Sequence, residues 1–254
     1  MNATVTISLL VTGCVFTGSL LGLHLHRFLP RTHLTKETQD VVRLGTGMVS
    51  VLASLVLGLL IATAKTSYDN TNHSIRAFAA EIALLNETLR DYGTGGAPAR
   101  DALRDYTLKV LHDRWPTDRS QVPLIEDPSA GIILEHVRAL IRDLKPVDAG
   151  QKWLQGQALD INVSLLRQRW LLIEQAGQSV SGTVLSILVS WIVAIFVSFG
   201  LNAPRNGTVV AAFFLCSMAI GGSIFLILEM DRPLNGIVRI SSWPVENVLG
   251  AMDW

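Results

Sequence analysis

Gly182, Ser186, Ser190, Ala194, Ser198 and Asn202 recur at every fourth position, and Ser50, Ser54, Gly58 and Ala62 repeat the pattern earlier in the chain. Four residues only slightly exceed one helical turn, so each series forms a slowly drifting stripe of small and hydroxylated side chains along a helix. Two kinds of chemistry use such a stripe. In hydrocarbon, small residues let helix backbones approach closely, and hydroxyls bond across the contact. Around an axis, hydroxyls and exposed backbone dipoles replace part of an ion's hydration shell, while bulky apolar neighbours form a constriction that sheds water. Val51, Leu55, Leu57 and Ile61 are such neighbours of the earlier stripe. Both uses stay open for both stripes.

The elements that must position these residues are apolar over a membrane's thickness. Thr4–Leu23, Val42–Ala64, Gly182–Leu201 and Thr208–Leu228 each approach the ~20 residues a helix needs to cross hydrocarbon. Arg43 is the only charged residue inside them. Residues 65–178, between the two pairs, are rich in Asp, Glu, Arg and Lys. The expected fold is therefore an all-α membrane protein: residues 1–64 hold two spans and a short loop, 65–178 a soluble helical bundle, 179–230 two more spans, and 231–254 a C-terminal segment. The first segment lacks a positively charged leader, since Met1–Ser8 contains no Lys or Arg, so it reads as a permanent span.

The charged middle reads as four helices. Ile75, Phe78, Ile82, Leu85, Leu89 and Tyr92 are spaced as a heptad seam, which a strand would not produce. Gly93–Gly96 ends that helix. A second helix over 97–115 shows Leu103, Tyr106, Val110 and Trp115, and Pro116, Pro123 and Pro128 mark a loop after it. A third, over 129–144, shows Ile133, Val137, Leu140 and Leu144, and a fourth from Ala149 shows Leu154, Ala158, Ile161 and Leu165. Such seams pack as an antiparallel bundle. No proline separates the second span from the first bundle helix, or the fourth bundle helix from the third span, so both junctions read as continuous rods.

Composition excludes several classes. The chain's 254 residues carry 21 basic and 21 acidic side chains with no basic tract, so nucleic acid is not an expected partner. Cys14 and Cys216 fall inside spans and read as buried apolar thiols, and no Cys/His set has zinc-site spacing. The loop between the first two spans holds His24, His26 and His33, read as interfacial polar groups rather than metal ligands. No nucleophile elbow, phosphate loop or His-Glu-x-x-His motif is present, so an enzyme is not expected, and no cofactor or metal.

The remaining charges sit where spans end. Lys65 and Arg205 are pore-mouth or interfacial candidates. Glu229 and Asp231 lie at a helix C-terminus, where the helix dipole disfavours negative charge, so Arg232 and Arg239 are expected to join them in an ion-pair or gating cluster. Two carboxylates fall short of the oxygen ligands calcium prefers. Basic residues divide nearly evenly between the two membrane sides, so charge leaves orientation open.

Three stretches carry a resemblance: Leu57–Asp69 (LGLLIATAKTSYD), Phe199–Asn206 (FGLNAPRN) and Phe225–Ser241 (FLILEMDRPLNGIVRIS), with Glu81, Tyr106 and Trp115 between them. Together they resemble a bacterial and plant family of four-span proteins described as bestrophin-like, over nearly the whole chain. The further similarity to bestrophins implies a pentameric anion channel whose second span lines the pore. It makes Ser50, Ser54, Leu57, Gly58, Ile61 and Ala62 the pore candidates, with the domain and both termini in the cytoplasm of a bacterium. The second span lacks the aromatic neck of animal bestrophins, having no Phe, and Met230 and Arg232 interrupt the acidic stretch that would clasp calcium. The expectation is an oligomeric channel in the bacterial inner membrane whose partners are lipid, further copies of itself and an inorganic ion, chloride-like by resemblance. The alternative is a non-conducting scaffold or sensor whose bundle binds a partner. The stripe Gly182–Asn202 then serves either as a second packing face or as a pore face.

Overall fold

The computed structural model describes residues 3–25, 35–116, 127–177, 181–234 and 236–252. The described residues form eight α-helices: α1 (Ala3–Leu25), α2 (Lys36–Tyr92), α3 (Ala97–Arg114), α4 (Pro128–Arg142), α5 (Ala149–Gly177), α6 (Gly182–Asn202), α7 (Gly207–Met230) and α8 (Trp243–Met252). Four of them, α1, α2, α6 and α7, are long and apolar enough to cross a membrane. The chain is an all-α membrane protein, and it divides into two compact units.

The first unit, residues 1–67 and 179–231, is built around α1. Helices α6 and α7 pack on α1, and glycine makes both contacts close. A Cβ on Gly22 would lie 2.2 Å from the Val197 carbonyl oxygen, and one on Gly200 would lie 2.2 Å from the Ser19 carbonyl oxygen. Backbone therefore meets backbone where α1 crosses α6, the arrangement small residues permit in hydrocarbon. On the other side, Phe16 of α1 meets Phe214 of α7 edge-on at 5.5 Å between ring centres. Val15, Leu188, Ile192, Ile224 and Ile227 fill the interior.

The second unit, residues 68–178 and 232–254, is a helical bundle. The predicted seam residues Ile75, Phe78, Ile82, Leu85 and Leu89 are all 1% exposed or less. Leu103, Tyr106, Leu134, Val137, Ile141 and Leu165 complete the core from α3, α4 and α5. The segment after α7 returns to this core: Leu234, Ile240, Val245 and Met252 are buried in it, and the Trp115 indole N–H donates to the Ile240 carbonyl at 2.9 Å.

Local chemistry sets the helix ends. Gly93 closes α2 with φ +98°, a conformation L side chains avoid. Asp127 caps α4, accepting from the Ser129 backbone N–H at 2.8 Å, and Pro128 sits just inside the helix start rather than in the loop expected around it. Asn206 caps α7 through the Val209 N–H at 2.9 Å. Of the two expected rods, α2 is one unbroken helix through Ser67, whereas α5 ends at Gly177 and α6 starts afresh at Gly182 after its cap Ser181. Ser181 leaves the helical region at ψ 117° and, with Gly182, lowers helix propensity where α6 begins; residues 178–180 lie outside the described residues. The other correction concerns the thiols: Cys14 and Cys216 are unpaired and exposed on the outer faces of α1 and α7, because the interior of this unit is formed by other positions.

Asp127 also ties α3 to α4. Lys109 of α3 pairs with Asp113 at 2.8 Å and with Asp127. The hydrogen bond from Lys109 and those from Ser129 hold the Asp127 carboxyl far below its ordinary value. A carboxyl with a depressed folded-state pKa stabilises the fold above its unfolded value of about 4 and loses that contribution as pH falls below it. Asp127→Asn keeps the cap and removes the charge. Its thermal midpoint should lie below wild type at neutral pH, and the gap should close as acid is added below about pH 4. A gap of constant size across that range would contradict the assignment.

Candidate functional site

The stripe on α2 is open. Gly58 has no atom within 4 Å of where a Cβ would stand, and Ser54 and Ala62 are exposed with it. Ser50 is half-buried. Both serines bond along their own helix, Ser50 to the Thr46 carbonyl at 2.7 Å and Ser54 to the Ser50 carbonyl at 2.8 Å. That satisfies the hydroxyl protons and leaves oxygen lone pairs facing outward. The apolar neighbours divide. Val51 and Leu55 are about 70% exposed, beside the stripe, whereas Leu57 and Ile61 turn partly inward against the core with Val56 and Leu60. Within the first unit α2 is the least enclosed helix: 11% of its span is buried, against 33% of α1.

The α6 stripe is equally unpacked over most of its length. Gly182, Ser186, Ser190, Ala194 and Asn202 are exposed, and Ser186 and Ser190 bond to carbonyls of their own helix. Only Ser198 reaches another helix: its hydroxyl is 2.8 Å from that of Thr46 on α2. Thr46 lies one turn before Ser50 and extends that stripe. The two stripes therefore meet at Thr46 and Ser198, beside a recess of about 310 Å³ lined by Arg43, Thr46, Ser198, Asn202 and Phe213 among others. Arg43 and Asn202 make this end of the unit polar.

Sequence reasoning placed helix packing on these stripes as one option. Inside a single chain the close packing is elsewhere, at Gly18, Gly22 and Gly200. The signal was present, because Gly18 and Gly22 stand four apart on the first span.

Arg205 donates through Nε and a terminal nitrogen to the Leu23 carbonyl at 3.1 and 2.8 Å. It thus caps the last turn of α1, where the helix dipole favours a cation. Lys65 is exposed one residue beyond buried Ala64 on α2. Glu229 is fully buried near the end of α7 and accepts from the Thr4 hydroxyl of α1 at 2.6 Å. Asp231 follows as the C-cap of α7, half-buried. Arg232 and Arg239 belong to the second unit and are exposed; Arg239 lines a recess of about 760 Å³ there, with His112, Trp115 and Glu246. His26 and His33 lie outside the described residues. Among the described residues no three His, Cys, Asp or Glu side chains gather in a metal-binding group.

The bundle interior holds a polar group that the sequence reading missed. Arg114 and Arg169 are 4% and 7% exposed. Arg114 lies over the Phe78 ring at 5.5 Å, and Arg169 donates to the Asp127 carbonyl at 2.9 Å. Tyr106 is fully buried beside them, its ring 6.2 Å from that of Phe78. Burial pushes the Tyr106 hydroxyl up to about 12, although the two arginines oppose the shift. Arg114 follows Val110 by four positions and Arg169 follows Leu165 by four, so a charge at a seam position was the available signal.

Sequence and structure comparisons agree on one relationship. The model of the Bestrophin-like domain family matches residues 13–245. Among solved structures, three single-residue variants of a bacterial bestrophin homologue from Klebsiella pneumoniae share the fold. The first has TM-score 0.71 at 14% identity, covering 100% of this chain and 96% of that one. The second has TM-score 0.67 at 13% identity, covering 96% of each chain. The third has TM-score 0.66 at 13% identity, covering 99% and 97%. No curated protein matches by sequence. With four apolar helices long enough to cross a membrane, a helical bundle, and a family match over most of its length, the chain belongs to the bestrophin-like family.

Proposed function

We propose that this protein assembles into a homo-oligomeric channel, a pentamer by analogy, that conducts small anions passively along an axis lined by α2. The observation that carries the reading is the α2 face itself: Ser54, Gly58 and Ala62 stand unpacked on the least enclosed span, next to outward-facing Val51 and Leu55. Copies arranged around a closed axis would each contribute this face. Hydroxyl oxygens and helix dipoles would then stand beside an apolar ring able to gate by dewetting. Because α2 continues unbroken from its span into Tyr92, a change in the bundle would be felt along the same helix. Arg43, at the recess where the two stripes meet, supplies positive charge for drawing anions. The resemblance adds a bacterial inner-membrane location with the bundle and termini in the cytoplasm.

The second reading, a non-conducting scaffold or sensor, is favoured by the open α6 stripe, which suits a neighbouring helix as well as it suits a pore. Ser54→Trp separates the two. In a channel the indole occupies the axis, and single-channel current in a planar bilayer should fall at least about tenfold while cross-linked oligomer size is unchanged. That loss corresponds to roughly 1.4 kcal/mol added to the barrier. Dissociation of the oligomer, with unaltered current from what remains assembled, would sink the pore assignment for α2.

A further inference from the structure

We propose that the interior of the helical bundle binds one small inorganic monoanion of the halide class, held by Arg114, Arg169 and the Tyr106 hydroxyl. This site is separate from any conduction axis and does not rest on the channel reading. Three observations carry it.

First, the charges do not balance. Among the described residues, Lys109, Arg114 and Arg169 face two carboxylates, Asp113 and Asp127. Lys109 already pairs with both. Among the described residues Arg169 donates only to the Asp127 main-chain carbonyl, and its guanidinium lies against Gly131, 3.5 Å from where a Cβ would stand. Among these described side chains one positive charge is left over, and a buried charge without a counter-charge is costly.

Second, Arg114 lacks polar partners. It sits almost wholly out of solvent against the Phe78 ring, and among the described residues no carbonyl or side chain accepts a hydrogen bond from it. Its charged or polar neighbours are the neutral Tyr106, the cation Arg169, which repels it, and the Asp113 carboxylate, which Lys109 already engages. A guanidinium carries five N–H donors, so donor capacity is in excess here.

Third, the Tyr106 hydroxyl is fully buried and has no hydrogen-bond partner among the described residues. Buried hydroxyls are nearly always paired, so an unpaired one beside two cations requires an explanation. A single anion satisfies all three at once: it neutralises the surplus charge, accepts from Arg114 and Arg169, and accepts the Tyr106 proton. A metal cation would add to a positive excess, and a neutral water would leave the charge unbalanced. The tight ring packing, with Phe78 6.2 Å from Tyr106, favours a compact ion over a phosphate ester.

The test is thermal unfolding of the detergent-solubilised full-length protein. Chloride, bromide or nitrate is exchanged for gluconate at constant ionic strength and constant cation. The expected result is a saturable rise in the midpoint of the bundle transition with the small anions and none with gluconate. Arg114→Met replaces the cation by an apolar side chain of similar length and should abolish the anion dependence. Tyr106→Phe removes one donor and should raise the half-saturating chloride concentration about tenfold, which keeps the proposal testable should Arg114→Met fail to fold. A wild-type midpoint indifferent to the anion would overturn the proposal. So would an anion dependence that survives unchanged in both variants, because the ion would then bind elsewhere, the conduction axis included.

Discussion

Gly22→Ala and Gly200→Ala are each expected to unfold the membrane-spanning unit at temperatures the wild type withstands, at a cost of about 3 kcal/mol or more. Each new methyl would stand 2.2 Å from a backbone oxygen across the α1–α6 crossing, well inside van der Waals contact. Side chains can rotate away from an intruding atom, but a helix backbone moves only as a whole. The crossing would have to open, and the contacts of Gly18 with Val193 and Val197 would open with it. Gly58→Ala supplies the control, since a methyl there meets nothing within 4 Å in the chain and improves helix propensity. Thermal midpoints of the three variants in detergent decide the matter. Equal losses at Gly22 and Gly58 would show that the close crossing is not what holds this unit together.

Leu85→Ala should destabilise the bundle by about 2–5 kcal/mol, the range for removing a buried leucine side chain. Leu85 is fully buried at the middle of the α2 seam, between Ile82 and Leu89, and the cavity left behind would be walled by residues that are themselves fully buried. Its neighbour Leu84 is 45% exposed, and Leu84→Ala should stay within about 0.5 kcal/mol of wild type. The pair tests burial against chain position with identical chemistry. Similar midpoints for the two variants would mean that the seam does not close on α3, α4 and α5 as described.

What could be read from the chain was mostly local. The four spans and the heptad seam of α2 follow from periodicity and length, because a helix writes its buried face into every third or fourth residue. The long-range features were not written this way. Glu229 meets Thr4 across 225 positions, and no spacing rule joins them. The C-terminal segment contributes Ile240 and Val245 to the bundle core, but its apolar residues are too few and too close to a turn to show a period. On α3 the apolar series Leu103, Tyr106, Val110 continues to Arg114, while the reading by hydrophobicity stepped to Trp115. The Trp115 indole instead bonds to Ile240, and the arginine takes the buried place. In the candidate pore the stripe Ser50, Ser54, Gly58 and Ala62 was legible as a pattern. Which apolar neighbours share its outward face was not: Val51 and Leu55 do, and Leu57 and Ile61 turn toward the core, because only the packed unit fixes the rotation of α2.

The proposed channel turns on whether the assembled protein passes anions. The direct measurement is the reversal potential of purified protein in a planar bilayer under a potassium chloride gradient. A value close to the chloride equilibrium potential, with current reduced by Ser54→Trp, is the predicted result. A value close to the potassium equilibrium potential, or no current from protein shown to be folded and oligomeric across the full range of applied voltage, would contradict it.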